Sequence, residues 1–292
     1  RLENSAIKFY VGDVRDRDSV DDVMSGVDYV FHAAALKQVP TCEFFPMQAT
    51  QTNVIGSQNI INSAISHGVS KVISLSTDKA VYPVNALGIT KALMEKVVQS
   101  TSRKLFQGQT ILSLVRYGNV LFSRGSVIPL FLKQIREKKP ITVTEYEMTR
   151  FLLPLKEAIQ LVGFALQNGR QGDIFVCNAP SANIGDLAQA LKNIFSSDSE
   201  IKIMGIRHGE KLHETLVSKE ELLRSEDMGG YLRLSMDDRD LNYKKYLSEG
   251  DKKVIQTEDY TSQNTTRLTV PKIEEMLLAQ PEIIAELKNQ EL

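Results

Sequence analysis

The sequence predicts an α/β fold in which helices flank a doubly wound parallel sheet, followed by a smaller second domain. Short apolar runs alternate with segments of helical period, at the spacing of βαβ units, as far as about residue 120. A hydrophobic content of 42% and a charged content of 24% are ordinary for a soluble globular protein. We expect a first domain at 1–126 and a second at 127–292, from which some segments return to the main sheet.

Charge and cysteine content argue against several classes of function. The formal net charge is -1 and no long basic run occurs, so neither nucleic acid nor an anionic membrane surface is an expected partner. Cys42 and Cys177 have neither metal-ligand spacing nor a disulfide pattern, which is typical of a reducing cytoplasm. No stretch reaches the roughly 20 apolar residues of a membrane helix, and no signal peptide is visible. We therefore expect a cytoplasmic protein without a membrane span.

The elements of the first domain follow from the spacing of its apolar residues. The sequence predicts helices at 19–24, 47–67 and 86–102 and strands at 7–11, 27–35, 71–76 and 110–115. The run VDYVFHAAA at 27–35 is apolar at nearly every position, which is typical of a strand buried on both faces. Gly68 is expected to end the second helix, and Asn85 is expected to cap the start of the third.

The pattern loosens beyond Gly125. We expect helices at 127–137, 155–167 and 184–195 and strands at 141–143, 173–177 and 201–204. Residues 225–266 are polar without a clear period, which indicates a mostly irregular arm. Two short helices, 271–279 and 281–288, are expected to end the sequence.

The stretch KVISLSTDKAVYPVNALGITK, residues 71–91, contains the main candidate site. Asp78 and Lys79 follow the predicted strand directly, and Lys91 lies in the second turn of the next helix, on the same face as Leu87. Open parallel sheets build active sites from polar groups at the carboxyl ends of their strands. Taken alone, these residues are equally compatible with a solvated Asp–Lys pair and a surface lysine.

Two further features concern a nucleotide ligand. The strand at 27–35 ends in Ala33, Ala34 and Ala35, whose small side chains let either a flat ligand or a packed helix approach the backbone. The glycine loop that begins a dinucleotide-binding sheet, G-x-G-x-x-G or G-x-x-G-x-x-G, does not occur in the sequence. Either the chain binds no dinucleotide or it starts after the first β-α-β-α unit, and the immediate opening strand favours the second interpretation.

Seven motifs in succession resemble one known family. VGDVRD, FHAAALKQVP, TNVIGSQN, SLSTDKAVYPVNALGITK, VRYGNVLFSRGSVIPLF, MTRF and RHGEKLHETL are similar to the inverting UDP-N-acetylglucosamine 4,6-dehydratases of capsule and flagellin-sugar biosynthesis. These enzymes are extended short-chain dehydrogenase/reductases with a Rossmann-like fold. The similarity extends from residue 6 to about 270 and is closest to the capsular polysaccharide branch, including the late segment EDMGGYLRL…DDRDLNY.

The resemblance implies a cofactor, a substrate and an assembly. The cofactor would be NADP (or NAD), tightly bound and recycled, the substrate UDP-N-acetylglucosamine, and the assembly a homo-oligomer, often a hexamer. The resemblance also implies a preceding portion of about fifty residues that holds the glycine loop. Without that portion we expect weak cofactor binding, an unpaired sheet edge and an inactive chain. The sequence does not decide between NAD and NADP, although the resemblance favours NADP.

The resemblance assigns binding residues position by position. For the cofactor it implies Asp13 and Val14 at the adenine, Ala33, Ala34 and Ala35 beside the cofactor backbone, Asn53 as a brace for that region, Lys91 on the nicotinamide ribose, and Tyr117 near the nicotinamide. For the substrate it implies Lys37, Thr77 and Asn119 at the sugar and phosphates, with Arg207 and Glu210 as a clamp on the nucleotide. The spacing of Arg207 and Glu210 equally permits a surface ion pair.

Asp78, Lys79 and Lys91 are the catalytic residues that the resemblance implies. The superfamily's usual Tyr-x-x-x-Lys pattern has a tyrosine four residues before the lysine, but Leu87 stands there in this sequence, and the similar capsular enzymes have methionine. Proton transfer would then fall on Lys79 as the base at C5 and Asp78 as the acid for loss of water, with Thr77 or water assisting. For this role the pKa of Lys79 would have to be lowered, by burial or by a cation such as Lys91.

Alternatives remain open at the level of the sequence. A 4-epimerase or reductase of the same superfamily would ordinarily use the tyrosine that Leu87 replaces, and a non-catalytic nucleotide-binding scaffold would need none of the charged residues. His208 and His213 are five residues apart among acidic neighbours, but no third ligand stands in a matching position, so we expect no metal.

Overall fold

A six-stranded sheet forms the centre of the computed structural model, which describes residues 4–237 and 258–290. Its four parallel strands are β1 (Tyr29–His32), β2 (Lys71–Thr77), β3 (Ile111–Tyr117) and β7 (Ile174–Cys177). The strands β11 (Ser225–Asp227) and β12 (Tyr231–Leu234) extend the sheet antiparallel, in the order β1-β2-β3-β7-β12-β11. The predicted α/β fold with a parallel sheet is confirmed.

The helices that pack on this sheet lie close to their predicted positions, although the second begins at residue 56 rather than 47. They are α1 (Arg17–Met24), α4 (Gly56–Ser66), α5 (Ala86–Ser102) and α7 (Leu155–Asn168). Gly68 follows α4 with φ +69°, and the Asn85 side chain caps α5 by accepting from the Gly88 N–H at 2.8 Å, both as predicted. Apolar side chains of the sheet and these helices, among them Ile61, Met94 and Leu161, form the first core.

The helix predicted at 47–67 contains a π-helical turn that the sequence pattern did not reveal. It consists of α3 (Pro46–Thr50), the π turn Gln51–Ile55 and α4, and a short helix α2 (Val39–Phe44) precedes it. Single π turns inside α-helices are frequent at functional sites. This one contains Asn53, whose side chain is fully buried.

A second hydrophobic core lies in the C-terminal part of the chain. It is formed by α6 (Val127–Arg136), β5 (Ile141–Val143), α8 (Ile184–Ile194), α10 (Val270–Leu278) and α11 (Pro281–Gln290). Phe131, Leu191 and Ile273 are fully buried in it. The strand β5 pairs in parallel with β9 (Ile201–Ile203). A domain boundary near residue 126 remains a prediction.

Several small sheets and short helices were not predicted, because these elements are too short to show a period. β4 (Asn119–Val120), β6 (Thr149–Leu153) and β8 (Ser181–Asn183) form a three-stranded sheet. β10 (Thr215–Val217) pairs antiparallel with β13 (Tyr260–Thr261), and α9 (Lys219–Leu222) follows β10.

Two strand predictions and the predicted irregular arm are wrong in whole or in part. Residues 7–11 are exposed and form no strand, because no strand of the described chain lies beside them. β1 is shorter than the predicted 27–35, and its Tyr29 and Phe31 side chains are about half exposed because β1 lies at the sheet edge. The supposed irregular arm at 225–266 contains β11, β12 and β13, while its residues 238–257 lie outside the described part.

Candidate functional site

The candidate site is a tight turn at the carboxyl end of β2. Residues Asp78–Ala80 form one turn of 3₁₀-helix, and Thr77 caps it by accepting from the Lys79 N–H. The Asp78 carboxyl group is completely buried, and its Oδ1 accepts from Thr77 Oγ1 at 2.9 Å and from Lys79 Nζ at 3.0 Å. The acid and the amine that the sequence singled out are therefore in direct contact.

Helix α5 lies unusually close to this turn because residue 88 is glycine. A Cβ atom at Gly88 would lie 2.2 Å from the Lys79 carbonyl oxygen and 3.0 Å from Pro83 Cβ. The cap residue of the same helix, Asn85, donates from Nδ2 to the Gly209 carbonyl at 2.8 Å. Backbone contact on one side and a hydrogen bond on the other fix α5 between the turn and the segment 207–211.

Glu214 is a second carboxylate at the amine, and sequence reasoning did not identify it. It precedes β10, and its Oε1 lies 3.2 Å from Lys79 Nζ and 3.9 Å from Arg150 Nε. Its side chain is almost completely buried. The only signal in the sequence was its place in the motif RHGEKLHETL, four residues after Glu210.

The electrostatics of the turn differ from the expectation in one respect. Burial alone would lower the pKa of Lys79, but the contacts with Asp78 and Glu214 outweigh it, so the pKa is raised rather than lowered. Lys91 contributes to no described ion pair with these groups. The resting amine is therefore an ammonium ion. Burial, reinforced by the negative charge of Glu214, raises the pKa of Asp78.

Both carboxylates keep one oxygen for another partner. Asp78 Oδ2 and Glu214 Oε2 are buried, and neither has a hydrogen-bond partner among the described residues. Buried polar oxygens are normally paired, so these two mark where a ligand or water would bind. Burial would raise the pKa of Glu214, but Lys79, Arg150 and Lys211 together lower it.

Lys91 is buried in α5 with few partners. Its Nζ donates to the Leu75 carbonyl at 2.8 Å and lies 3.6 Å from Met94 Sδ, and it has no ion-pair partner in the described ranges. Burial lowers its pKa to about 8. Leu87, one turn earlier, packs in a small apolar cluster with Cys42 and Ala49, so the tyrosine position of the superfamily faces hydrophobic side chains.

Asn53 braces the segment that follows β1. Its Oδ1 accepts from the Leu36 N–H at 2.8 Å, and its Nδ2 donates to the Leu36 carbonyl at 3.1 Å and to Thr90 Oγ1 at 3.0 Å. The alanines before Leu36 are small and accessible, with Ala33 and Ala34 exposed and Ala35 half-buried. A side-chain amide thus ties this segment to α5 and leaves the alanine backbone open.

The residues predicted for the adenine lie on an exposed surface. The Asp13 carboxylate accepts from the Arg15 guanidinium at 2.6 Å, and the side-chain hydrogen bond to Arg15 lowers the pKa of Asp13 to about 2. A depression of about 380 Å³ is lined by Asp13, Arg15, Asp16 and Gln51. Val14 instead packs against the start of α4, where a Cβ at Gly56 would lie 2.7 Å from Val14 Cγ2.

The residues predicted for the substrate occupy three places. Thr77 lies beside Tyr117, the residue predicted near the nicotinamide, on neighbouring strands, and burial raises the pKa of Tyr117. Asn119 follows in β4, where its buried Oδ1 has no described hydrogen-bond partner, and Lys37 is exposed after β1. Arg207 Nη1 lies 3.8 Å from Glu210 Oε1, so this pair also forms the surface contact that its spacing permitted.

The segment that carries Arg207 and Glu210 is tied to the turn. Lys211 Nζ donates to the Val81 carbonyl, and Gly209 accepts from Asn85. His208 lies 3.6 Å from Glu43, whereas His213 Nδ1 contacts Thr149 Oγ1 at 2.8 Å. The two histidines therefore have separate partners, and residues 4–237 and 258–290 contain no cluster of three or more metal-ligating side chains.

A buried ion cluster, also missed by sequence reasoning, supports the strand that follows Glu214. The Arg116 guanidinium on β3 contacts Glu95 of α5 at 2.7 Å and Glu221 of α9 at 2.8 Å, and it donates to the Leu216 carbonyl in β10. Glu221 also completes a capping box with Ser218. These contacts join β3, α5, β10 and α9 and so hold the backbone on which Glu214 is placed.

Comparisons with known proteins give a consistent result. A family model described as "Polysaccharide biosynthesis protein" matches residues 1–236, and its C-terminal counterpart matches residues 237–283. Proteins named UDP-glucose 4-epimerase from Rickettsia felis and Rickettsia typhi are each 56% identical over 288 residues, covering 99% of this chain and 84% of theirs.

None of the described helices is long and apolar enough to cross a membrane.

Solved structures agree in fold. The X-ray structure of Pen from Bacillus thuringiensis is 32% identical with a TM-score of 0.85, covering 96% of this chain and 84% of that one. The dTDP-glucose 4,6-dehydratase DesIV from Streptomyces venezuelae, with NAD bound, is 22% identical with a TM-score of 0.67, covering 72% of this chain and 71% of its own. At that identity the second likeness concerns the fold alone.

Proposed function

Because the chain belongs to the polysaccharide biosynthesis protein family, we propose that it is a nicotinamide-dependent enzyme that modifies the sugar of a nucleotide-sugar. The specific reaction we propose is dehydration of UDP-N-acetylglucosamine at C4 and C6 with inversion at C5. The product is a UDP-4-keto-6-deoxy-hexose for capsule or another surface polysaccharide.

The observation that supports dehydration is the buried acid–amine pair, with an apolar side chain at the tyrosine position. Epimerisation at C4 moves one proton, off and back onto O4. Dehydration removes two protons, from O4 and C5, and returns two, to the leaving C6 hydroxyl and to C5. Asp78 and Lys79, in contact at 3.0 Å, provide two proton-carrying groups, whereas Leu87 provides none.

The described residues fit a nicotinamide cofactor. The Lys91 ammonium is buried, donates to one carbonyl and has no carboxylate partner among the described residues, so it has N–H groups for the ribose hydroxyls. Ala33 and Ala34 are exposed after β1, and Asn53 holds the backbone of Leu36, which follows them. A nicotinamide held there would supply reversible hydride transfer, from C4 and back to C6. We favour NADP over NAD on resemblance alone.

The proton steps are assigned to the turn. Oxidation at C4 passes the O4 proton to water and gives a ketone, which acidifies the proton on C5, and water later returns a proton to C5. Because burial raises the pKa of Asp78, this residue can hold a proton and deliver it to the departing C6 hydroxyl. Lys79 first transfers one of its own protons to Asp78 along the 3.0 Å hydrogen bond to Asp78 Oδ1. The resulting neutral amine then removes the C5 proton. Thr77 orients that oxygen.

The remaining proposed site residues lie around this pair. Tyr117 and Asn119 would contact the nicotinamide and the sugar, Lys37 the phosphates, and Arg207 with Glu210 the nucleotide. Arg207 and Glu210 must separate from their 3.8 Å contact before they can bind the nucleotide. More than half of the Arg207 side chain is exposed, so it has room to rotate toward the ligand. Asp13 and Val14 remain the proposed adenine contacts, with the Asp13 carboxylate shared with Arg15.

A 4-epimerase is the second candidate, because the Rickettsia relatives have that name. The test is incubation of the chain, expressed with whatever its gene encodes upstream of Arg1, with UDP-N-acetylglucosamine and with UDP-glucose. A 4-keto-6-deoxy product by NMR supports dehydration, and an inverted C4 alone supports epimerisation. Lys79→Ala and Asp78→Asn should each lower dehydration at least about 100-fold, with exposed Lys139→Ala as a control. Turnover within a few-fold of the parent would refute the assigned roles.

A further inference from the structure

The amine of Lys79 has a second carboxylate partner that the proposed proton steps do not use. Lys79 Nζ lies 3.0 Å from Asp78 Oδ1 and 3.2 Å from Glu214 Oε1, so one ammonium neutralises two carboxylates. The Asp78 and Glu214 side chains are almost completely buried, and each keeps an oxygen without a described partner. An unpaired negative charge at such a place is costly unless it serves the site.

The cations facing Glu214 do not cancel this charge at Lys79. Arg150 Nε lies 3.9 Å from Glu214 Oε1, and its Nη1 donates to the Thr149 and Leu212 carbonyls. The Lys211 ammonium donates to the Val81 carbonyl and interacts electrostatically with both Glu214 and Asp78. Despite both cations, Asp78 and Glu214 still raise the pKa of Lys79 against the effect of burial.

We propose that Glu214 is a positioning residue for the Asp78–Lys79 pair. Its carboxylate holds the Lys79 amine in place, and its charge sets the pH range in which Asp78 and Lys79 together carry one proton. This inference rests on the proposed dehydration. With one proton on the pair, transfer along the Lys79–Asp78 hydrogen bond converts ammonium and carboxylate into amine and carboxylic acid. That single transfer produces the base for C5 and the acid for the C6 hydroxyl, with no gain or loss of protons.

The sign of the effect follows from charge alone. The negative charge of Glu214 makes the pair bind both its first and its second proton more tightly, so both pKa values of the pair are higher with Glu214 than without it. Glu214→Gln keeps the shape and removes the charge. Both limbs of the pH–rate profile should therefore move to lower pH, by about 1–3 units. A role limited to packing would lower the rate without moving either limb.

The decisive experiment measures Lys79 directly. Protein labelled with ¹³C at the lysine Cε is titrated by NMR, and the Lys79 resonance is assigned by its loss in Lys79→Arg. We expect Lys79 to titrate about 1–3 pH units lower in Glu214→Gln than in the parent. Glu214→Asp, which keeps the charge, should titrate close to the parent. Glu137→Gln, which removes an exposed carboxylate paired with Lys139, should leave the titration unchanged.

A second variant provides an independent test in case Glu214→Gln does not fold. Arg150→Gln removes the cation beside Glu214 and should shift the Lys79 titration in the opposite direction, to higher pH. Unchanged titration in Glu214→Gln, or a downward shift in Arg150→Gln, overturns the proposal for Glu214. Formation of a C4 epimer without a keto product instead overturns the proposed dehydration, while the NMR titration still decides the effect of Glu214 on Lys79.

Discussion

Replacing Gly88 by alanine tests how the site is positioned. Glycine in a helix interior is ordinarily less stable than alanine by roughly 0.5–1 kcal/mol, so the substitution would stabilise most helices. Here the new Cβ would lie 2.2 Å from the Lys79 carbonyl oxygen. Attractive contacts between such atoms have their optimum near 3.5 Å, so the turn or α5 must move by roughly 1 Å. The displaced atoms are backbone, which cannot turn away as a side chain would.

Two effects should follow from that displacement. Overpacking of this kind costs about 1–3 kcal/mol of unfolding free energy, which exceeds the gain in helix propensity. A shift of roughly 1 Å at reacting groups can lower the rate about 100-fold. We therefore expect Gly88→Ala to be less stable than the parent and about 100-fold slower in forming the 4-keto product.

The matched control is Gly163→Ala in α7, where no heavy atom lies within 4 Å of the new Cβ. This variant should keep its activity and gain about 0.5–1 kcal/mol. Urea unfolding followed by circular dichroism measures the stability, since the chain has no tryptophan for fluorescence. Product formation is followed by NMR. If Gly88→Ala were as stable and as active as Gly163→Ala, the close approach of α5 to the turn would be refuted.

Two other substitutions test the buried ion cluster and the tyrosine position. Arg116→Met leaves two carboxylates without their cation and should lower the unfolding free energy by about 3–5 kcal/mol. Arg136→Met, at an exposed ion pair, should lower it by less than about 1 kcal/mol. Equal losses of the two variants in urea unfolding would contradict the cluster's role. Leu87→Tyr adds a hydroxyl to an apolar cluster and should lower the unfolding free energy by about 1–3 kcal/mol without changing the reaction product. Leu93→Tyr, on the exposed face of the same helix, should leave the unfolding free energy nearly unchanged. A gain of C4 epimerase activity in Leu87→Tyr would contradict that location.

The sequence predicted the parts of the fold that have a strong local signal. The helix at 86–102 has its N-cap Asn85 and a regular apolar face, and its bounds were correct to the residue. The run at 27–35 was misjudged because apolar composition does not reveal whether a neighbouring strand covers it. β12 was missed because its pairing with β7 is decided by residues more than fifty positions earlier in the chain.

The candidate site was predicted only where its residues are neighbours in sequence. Asp78 and Lys79 stand side by side, so their contact followed from the strand before them. Glu214 and Arg150 come from distant segments, and no spacing rule connects them with Lys79. The direction of the Lys79 pKa shift depends on that missed carboxylate, which explains why an expectation based on burial and Lys91 had the wrong sign.

The buried salt-bridge cluster also bears on the order in which the protein becomes competent during synthesis. Arg116 and Glu221 are 105 positions apart, and the helix that contains Glu221 follows directly after the strand that places Glu214. A nascent chain emerging from the ribosome would present the Thr77–Lys79 turn long before the segment that completes its surroundings is translated. Until then Arg116 would have, of its two described anionic partners, Glu95 alone. Docking of the late segment and maturation of the proton-transfer centre are therefore expected to be one event.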